Sequence, residues 1–167
     1  MKKIAVLMVT AVLALGMVTN AQNSVPFKVN AGKFDEEMNA GEKTSINAKV
    51  ISNFDRMFAG ASNVIWSKEK NLNRVYFENK GKVTRATFNQ KGQFLYSIST
   101  YSEQLLPKDV LLMVKETYYG KSIFGVTEVK ALDKTAYIVI LEDKTSWLHI
   151  KVLDGEMTEE KVYLKAQ

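Results

Sequence analysis

The chain has 167 residues, of which 46% are hydrophobic and 25% are charged. This length fits one domain or two small ones, and the composition excludes a disordered, collagen-like or coiled-coil chain. Cysteine is absent and His149 is the single histidine, which excludes disulfides, zinc–thiolate sites and cysteine nucleophiles. We therefore predict a protein that is not an enzyme and needs no cofactor.

The N-terminal 21 residues have the pattern of a secretory signal peptide. Two lysines precede an apolar run over residues 4–15, and Thr19 and Ala21 supply small residues at a cleavage site. The run is too short to span a bilayer, which needs about 20 residues. We expect cleavage after Ala21 and a periplasmic or secreted mature protein. An uncleaved N-terminal anchor is the alternative.

Charge gives no indication of a nucleic-acid partner. The whole chain carries 23 basic and 18 acidic residues, a net charge of +5. The two lysines before the apolar run leave with the signal peptide, so the mature chain keeps a net charge of +3. Its basic residues are scattered singly among acidic ones, as between Lys68 and Arg85. A nucleic-acid-binding protein would cluster them on one face.

The first half of the mature chain reads as an arm, a helix and four strands. Residues 22–43 are polar and irregular, and we predict a flexible N-terminal arm. Thr44 or Ser45 can cap a helix whose apolar stripe continues to Gly60. Four β-rich segments follow, separated by short turns that favour an antiparallel meander. These segments are residues 63–68, 74–78, 83–88 and 94–101.

The same order of elements repeats in the second half. Pro107 suits the start of a helix, Val110 and Val114 belong to its apolar stripe, and Gly120 ends it. The strand candidates that follow are residues 123–132, 136–142, 147–153 and 161–164. We predict an α+β fold of two tandem α-β-β-β-β units, residues 44–104 and 105–167, each an antiparallel meander with one helix on one face. Chance similarity between two α+β halves is the alternative.

One helix covers one face of a four-stranded sheet and leaves the other face open. Alternation along the strands places apolar side chains such as Val75 and Phe77 under the helix. The side chains predicted on the open face are Arg74, Tyr76, Arg85, Trp147, His149 and Lys151. Tyrosine, tryptophan and arginine are enriched at binding hot spots, so we predict a partner-binding face. Burial of these aromatics between the two halves is the alternative.

Several motifs across residues 45–164 carry a family resemblance. They include the helix and strand at residues 50–66, the aromatic strand Val75-Tyr76-Phe77, the turn at residues 88–92, the helix start Leu106-Pro107 and the strand at residues 137–143. On these motifs the mature chain resembles the tandem PepSY-like, or β-lactamase-inhibitor-like (BLIP-like), proteins of the periplasm. The resemblance implies a module that binds or inhibits a periplasmic protein. PepSY-type domains have been proposed to restrain peptidases, so a peptidase is one candidate partner.

Candidates for catalysis or metal binding are weak. Adjacent carboxylates, as at Glu142-Asp143, point apart on a strand, whereas glycosidases need two carboxyls across a cleft. His149 has no serine or acidic residue in a recognisable relation to it, and no aspartate turn has the EF-hand pattern. We predict no catalytic, cofactor-binding or metal site. The alternatives are a small-ligand or envelope-binding protein with a pocket between sheet and helix, and a minor hydrolase that uses His149.

Overall fold

The computed structural model describes residues 46–166, so the predicted signal peptide and N-terminal arm lie outside the described residues. The first series of elements is α1 (Ala48–Met57), β1 (Ser62–Glu69), β2 (Leu72–Asn79), β3 (Lys82–Asn89) and β4 (Phe94–Tyr101). A short 3-10 turn at Glu103–Leu105 follows. The second series is α2 (Lys108–Thr117), β5 (Ser122–Ala131), β6 (Lys134–Glu142), β7 (Ser146–Leu153) and β8 (Glu156–Leu164).

The eight strands form one antiparallel sheet in chain order. The α+β class and the antiparallel meander are therefore confirmed. The sequence predicts a separate meander for each half, and the structure corrects this, because β4 pairs with β5 and places Tyr101 opposite Val126. Two separate sheets would each leave an additional edge with unpaired backbone groups at this point. Pairing β4 with β5 satisfies those groups and makes the sheet continuous.

Tight hairpins set the register of several strand pairs. Lys80 and Gly81 join β2 to β3 with φ values of 50° and 77°, and Asp154 and Gly155 join β7 to β8 with 54° and 81°. Positive φ at both central residues is typical of the type I′ turn, whose twist matches that of the flanking strands. Glycine adopts this conformation without steric cost. These turns keep consecutive strands adjacent.

The first helix begins later than its sequence pattern suggests. The sequence predicts a cap at Thr44 or Ser45, but the cap in the structure is Asn47, whose Oδ1 accepts a hydrogen bond from the Lys49 backbone N–H at 2.9 Å. Asparagine is a strong N-cap because its side chain satisfies an N–H that the helix leaves unpaired. Ile46 before the cap is buried in the same apolar cluster that Ile51 packs against. Such a pair fixes the angle at which the chain enters the helix.

Both helices pack on the same face of the sheet, here called the helix face, and each covers its own apolar core. Under α1, Val50 and Phe54 pack on strand residues that include Val75 and Phe77. Phe54 and Phe77 meet edge to face, with ring centroids 5.0 Å apart. Under α2, the buried residues are Val110 and Val114 together with Tyr101, Leu106, Val126, Val139, Leu141, Leu148, Ile150 and Val152. The two clusters are distinct in the described part of the chain.

A strip of polar side chains crosses the helix face between the two cores. We call Lys82, Thr84, Ser99, Tyr101 and Glu128 the polar seam. The buried Thr84 and Ser99 hydroxyls lie 2.9 Å apart. The Lys82 ammonium and the Tyr101 hydroxyl each donate to the Glu128 carboxylate at 2.7 Å. Burial, and then the hydrogen bond to Glu128, raise the pKa of Tyr101, so the phenol stays a donor at neutral pH.

Candidate protein-binding surface

The strand register places all six predicted site residues on the face opposite the helices, which we call the open face. On β2 and β3, Tyr76 lies directly across from Arg85, and both alternate with residues buried on the helix face. On β7, the three predicted residues Trp147, His149 and Lys151 alternate with the buried Leu148, Ile150 and Val152. That this face binds a partner stays a prediction.

One group of predicted residues lies on β2 and β3. Arg74 is opposite Thr87, and Thr87 is opposite Tyr96 of β4. Arg74 also forms an ion pair with Glu69, and both side chains are partly exposed, so a partner carboxylate could compete for the guanidinium at little cost. The Thr87 hydroxyl is buried without a hydrogen-bond partner. This end of the face thus combines arginine, tyrosine and an unsatisfied hydroxyl.

A second group surrounds Trp147 and His149 on β7. The His149 and Tyr163 rings have centroids 4.9 Å apart, and the Lys165 ammonium lies 4.8 Å from the centre of the Trp147 ring. Lys151 forms an ion pair with Glu160. Burial, and then the charge of Lys161, lower the pKa of His149. The lowered pKa favours the neutral imidazole, so His149 adds little positive charge to this end of the face.

The structure does not bring the two groups together. Strands β3 and β7 are separated by three strands, and neighbouring strands are about 4.8 Å apart. The groups therefore lie roughly 19 Å apart across the sheet. This distance excludes direct contact between their side chains. A partner that touches both groups must also cover the strands between them.

The apolar patch at the centre of the open face, which we call the floor, was not predicted from the sequence. Ile98, Val129 and Ala136 lie side by side across β4, β5 and β6, with Ile138 nearby on β6. Val129, Ala136 and Ile138 are only 5%, 2% and 7% exposed, although no described helix covers this face. Longer neighbouring side chains on this face must therefore enclose them. The small and β-branched residues of β5 and β6 are the sequence feature from which this apolar floor could have been predicted.

The described residues offer little for metal chemistry. Between residues 46 and 166, no three histidine, aspartate or glutamate side chains are close enough to hold a metal ion. Asp143, one of the turn aspartates, accepts hydrogen bonds from the Thr145 and Ser146 backbone N–H groups, both at 2.8 Å. It also forms an ion pair with Lys121. Its carboxylate therefore orders its own turn.

Replacing Asp143 with asparagine is expected to lower the melting temperature at pH 7 by a few degrees. The Lys121 hydrogen bond, and then those of the turn, hold the pKa of Asp143 well below its usual range. A carboxylate whose pKa is lowered on folding stabilises the folded protein fully above the pKa of the unfolded state, about 3.9. This stabilisation is lost as pH falls through the pKa of the folded state. The difference in melting temperature between the wild type and Asp143→Asn, measured by thermal unfolding, should therefore shrink as the pH is lowered from 5 to 2. Asp133→Asn in an exposed turn is the control, and an equal shift there would contradict this role.

A groove of about 410 Å³ lies beside the edge strand β1, away from the open face. Its lining comes from α1, the turn after it and β1, with Ile51, Phe54, Phe58, Val64 and Trp66 contributing, and it exposes polar and apolar atoms about equally. Trp66 belongs to the first core and is 5% exposed. The small-ligand alternative predicts a pocket between sheet and helix, and this open groove is a candidate for it.

Neither of the two helices within residues 46–166 is long and apolar enough to cross a membrane. No protein-family model matches the sequence, and no curated protein matches it either.

Several solved structures from Bacteroides species have a similar fold. A BLIP-like protein from Bacteroides fragilis has a TM-score of 0.57 at 14% identity, over 73% of this chain and 89% of that one. A DUF2874 family protein from Bacteroides ovatus has a TM-score of 0.53 at 18% identity, over 71% and 87%. A structure named "putative periplasmic proteins", from Bacteroides eggerthii, has a TM-score of 0.52 at 15% identity, over 71% and 88%. None of these names denotes an enzyme, and the chain shares the α+β fold of the BLIP-like and DUF2874 proteins.

Proposed function

We propose that this protein is a periplasmic, non-enzymatic binding module that holds a protein partner on its open face. The observation that carries the proposal is the apolar floor at Val129, Ala136 and Ile138, which is enclosed although no described helix covers it. Aromatic and basic side chains stand on both sides of this floor. An apolar centre with an aromatic and polar surround is the usual anatomy of a protein interface.

The similarity in fold to a BLIP-like protein supports the same proposal. We extend it to the tandem PepSY-like organisation, with units at residues 44–104 and 105–167, and to an inhibitory action for which a peptidase is the candidate target. Export of the chain, with cleavage after Ala21, is part of the proposal and agrees with the name of the Bacteroides eggerthii structure.

A small-ligand or envelope-binding protein is the second candidate. The observation that favours it is the groove between α1 and β1, whose volume of about 410 Å³ falls within the range of small-molecule sites. The groove and the open face lie on different parts of the molecule. Substitutions in one should therefore leave binding at the other unchanged.

Replacing Tyr76 or Trp147 with alanine is expected to weaken binding of the protein partner about 30-fold or more. Truncating an interface hot spot typically costs about 2 kcal/mol or more, which corresponds to that factor. Both side chains lie on the open face and belong to neither apolar core, so the melting temperatures should stay close to that of the wild type. The partner is first captured from periplasmic extract with the wild-type protein and identified, and its affinity for each variant is then measured.

Tyr119→Ala is the matched control, because Tyr119 follows α2 and is 96% exposed. It should bind the partner like the wild type. If Tyr76→Ala and Trp147→Ala bind with unchanged affinity, the open-face proposal is wrong. If both variants melt far lower, the two aromatics are structural and the interface loses its support. Binding of a small ligand that Val64→Asp weakens, and that Tyr76→Ala and Trp147→Ala leave unchanged, would favour the second candidate.

A further inference from the structure

A histidine lies between like charges at the outer edge of the sheet. His149 on β7 is partly buried, and it lies directly opposite Lys161 on β8. The Tyr163 ring contacts both of them, with its centroid 4.9 Å from that of the His149 ring and 4.6 Å from the Lys161 ammonium. Lys161 has no carboxylate within ion-pair distance among the described residues. A positive charge is therefore already present beside the imidazole.

The acidic groups around His149 are already engaged. On β6, Ile140 lies opposite His149 and Glu142 lies two residues further on, where Lys165 binds it. On β7, Lys151 is two residues away and pairs with Glu160 of β8. A proton on His149 would therefore add a second positive charge next to Lys161, with no free carboxylate in contact to balance it.

The strand that carries Lys161 and Tyr163 is an edge strand with few buried side chains. Strand β8 pairs only with β7, and its register shifts between the partners of His149 and Ile150, which leaves Glu160 in a bulge. Nearly all its side chains are exposed, including Val162 at 56% and Leu164 at 81%. Elements with few buried contacts open at the lowest free-energy cost. A local electrostatic change can therefore release this strand without unfolding the core.

We propose that protonation of His149 loosens the pairing of β8 with β7, so that acid pH opens the outer edge of the sheet. Whether acid stabilises or destabilises this edge follows from the direction in which the fold shifts the pKa of His149. Burial and Lys161 lower the pKa of His149 from its ordinary value near 6.5, because both disfavour the charged imidazole. The stabilisation of this edge that depends on a neutral His149 is therefore complete above pH 6.5 and is lost as pH falls through the folded pKa. This inference holds whether or not the open face binds a protein.

The test uses amide hydrogen exchange and NMR on the purified protein. Because His149 is the single histidine, its imidazole gives one titrating signal. We expect a midpoint below 6.5, and we expect β8 amides to lose protection several-fold between pH 7.5 and pH 5.0, after correction for intrinsic exchange, while β2 and β3 amides keep theirs. Lys161→Gln should raise the imidazole midpoint, whereas Lys130→Gln, at an exposed lysine of β5, should not.

His149→Gln supplies the complementary measurement, since glutamine does not titrate. Its β8 amides should show the same corrected protection at both pH values. The proposal is overturned if β8 in the wild type keeps its protection at pH 5.0, or if His149→Gln loses it as the wild type does. An imidazole midpoint that Lys161→Gln leaves unchanged also overturns it, and this readout does not depend on the folding of His149→Gln.

Discussion

Replacing Phe77 with alanine is expected to lower the free energy of unfolding by about 3–5 kcal/mol. Phe77 is fully buried on β2, and its ring centroid lies 5.0 Å from that of Phe54 and 4.7 Å from that of Phe58. The substitution removes both aromatic contacts and leaves a cavity beneath α1. The sheet hydrogen bonds hold the β2 backbone in place, so the cavity cannot close by a simple shift.

Denaturant unfolding measures this loss as a lower midpoint at unchanged slope. Glu78→Ala is the matched control, because Glu78 is the next residue on the same strand and is exposed on the opposite face. Surface substitutions of this kind usually change stability by less than about 0.5 kcal/mol. A loss below about 1 kcal/mol for Phe77→Ala would contradict the packing of α1 on β2.

In strands that have one apolar face, the alternation of apolar and polar residues was enough to predict which face of the sheet each side chain occupies. On β2, Val75 and Phe77 are fully buried, whereas Tyr76 between them is partly exposed on the other face. The same reasoning places Trp147, His149 and Lys151 on one face of β7. Each of these strands has a helix on one side, so the difference in polarity between neighbouring residues reports directly on which side they face.

The pairing of β4 with β5 could not be predicted in this way. These strands are separated along the chain by the whole of α2, so no turn sequence indicates that they meet. Ser99 on β4 lies opposite Glu128 on β5, and neither residue gives a hydrophobic signal although both lie on the helix face. The predicted boundary between two sheets was therefore drawn where the structure has a polar seam.

The apolar floor of the open face was missed for a different reason. Strand β6 is apolar on both faces, with Ala136, Ile138, Val139 and Leu141 all buried. A strand with this composition carries no alternation from which its two faces can be told apart. The last strand was predicted too short, at residues 161–164 instead of 156–164. Its first half is mostly polar, and an edge strand needs no apolar face to pair with its single neighbour.

Replacing Glu128 with alanine is expected to destabilise the protein by about 3 kcal/mol. The carboxylate accepts from the Lys82 ammonium and the Tyr101 hydroxyl, each at 2.7 Å, and its side chain is 18% exposed. Removing one partner of a buried ion pair typically costs about 3–5 kcal/mol, and the residual exposure favours the lower end. Glu128→Gln should cost less, because its amide oxygen can still accept from Tyr101.

The unfolding transition of Glu128→Ala is also expected to broaden, because the polar seam lies between two otherwise separate cores. Lys82, Tyr101 and Glu128 lie on β3, β4 and β5, so their contacts join strands from the first and second halves. Losing them should let one half unfold before the other, which lowers the apparent slope against denaturant. Lys130→Ala, on the same strand but exposed, should keep the parental midpoint and slope. A sharp transition at the parental midpoint for Glu128→Ala would mean that the backbone pairing of β4 and β5 alone couples the two halves.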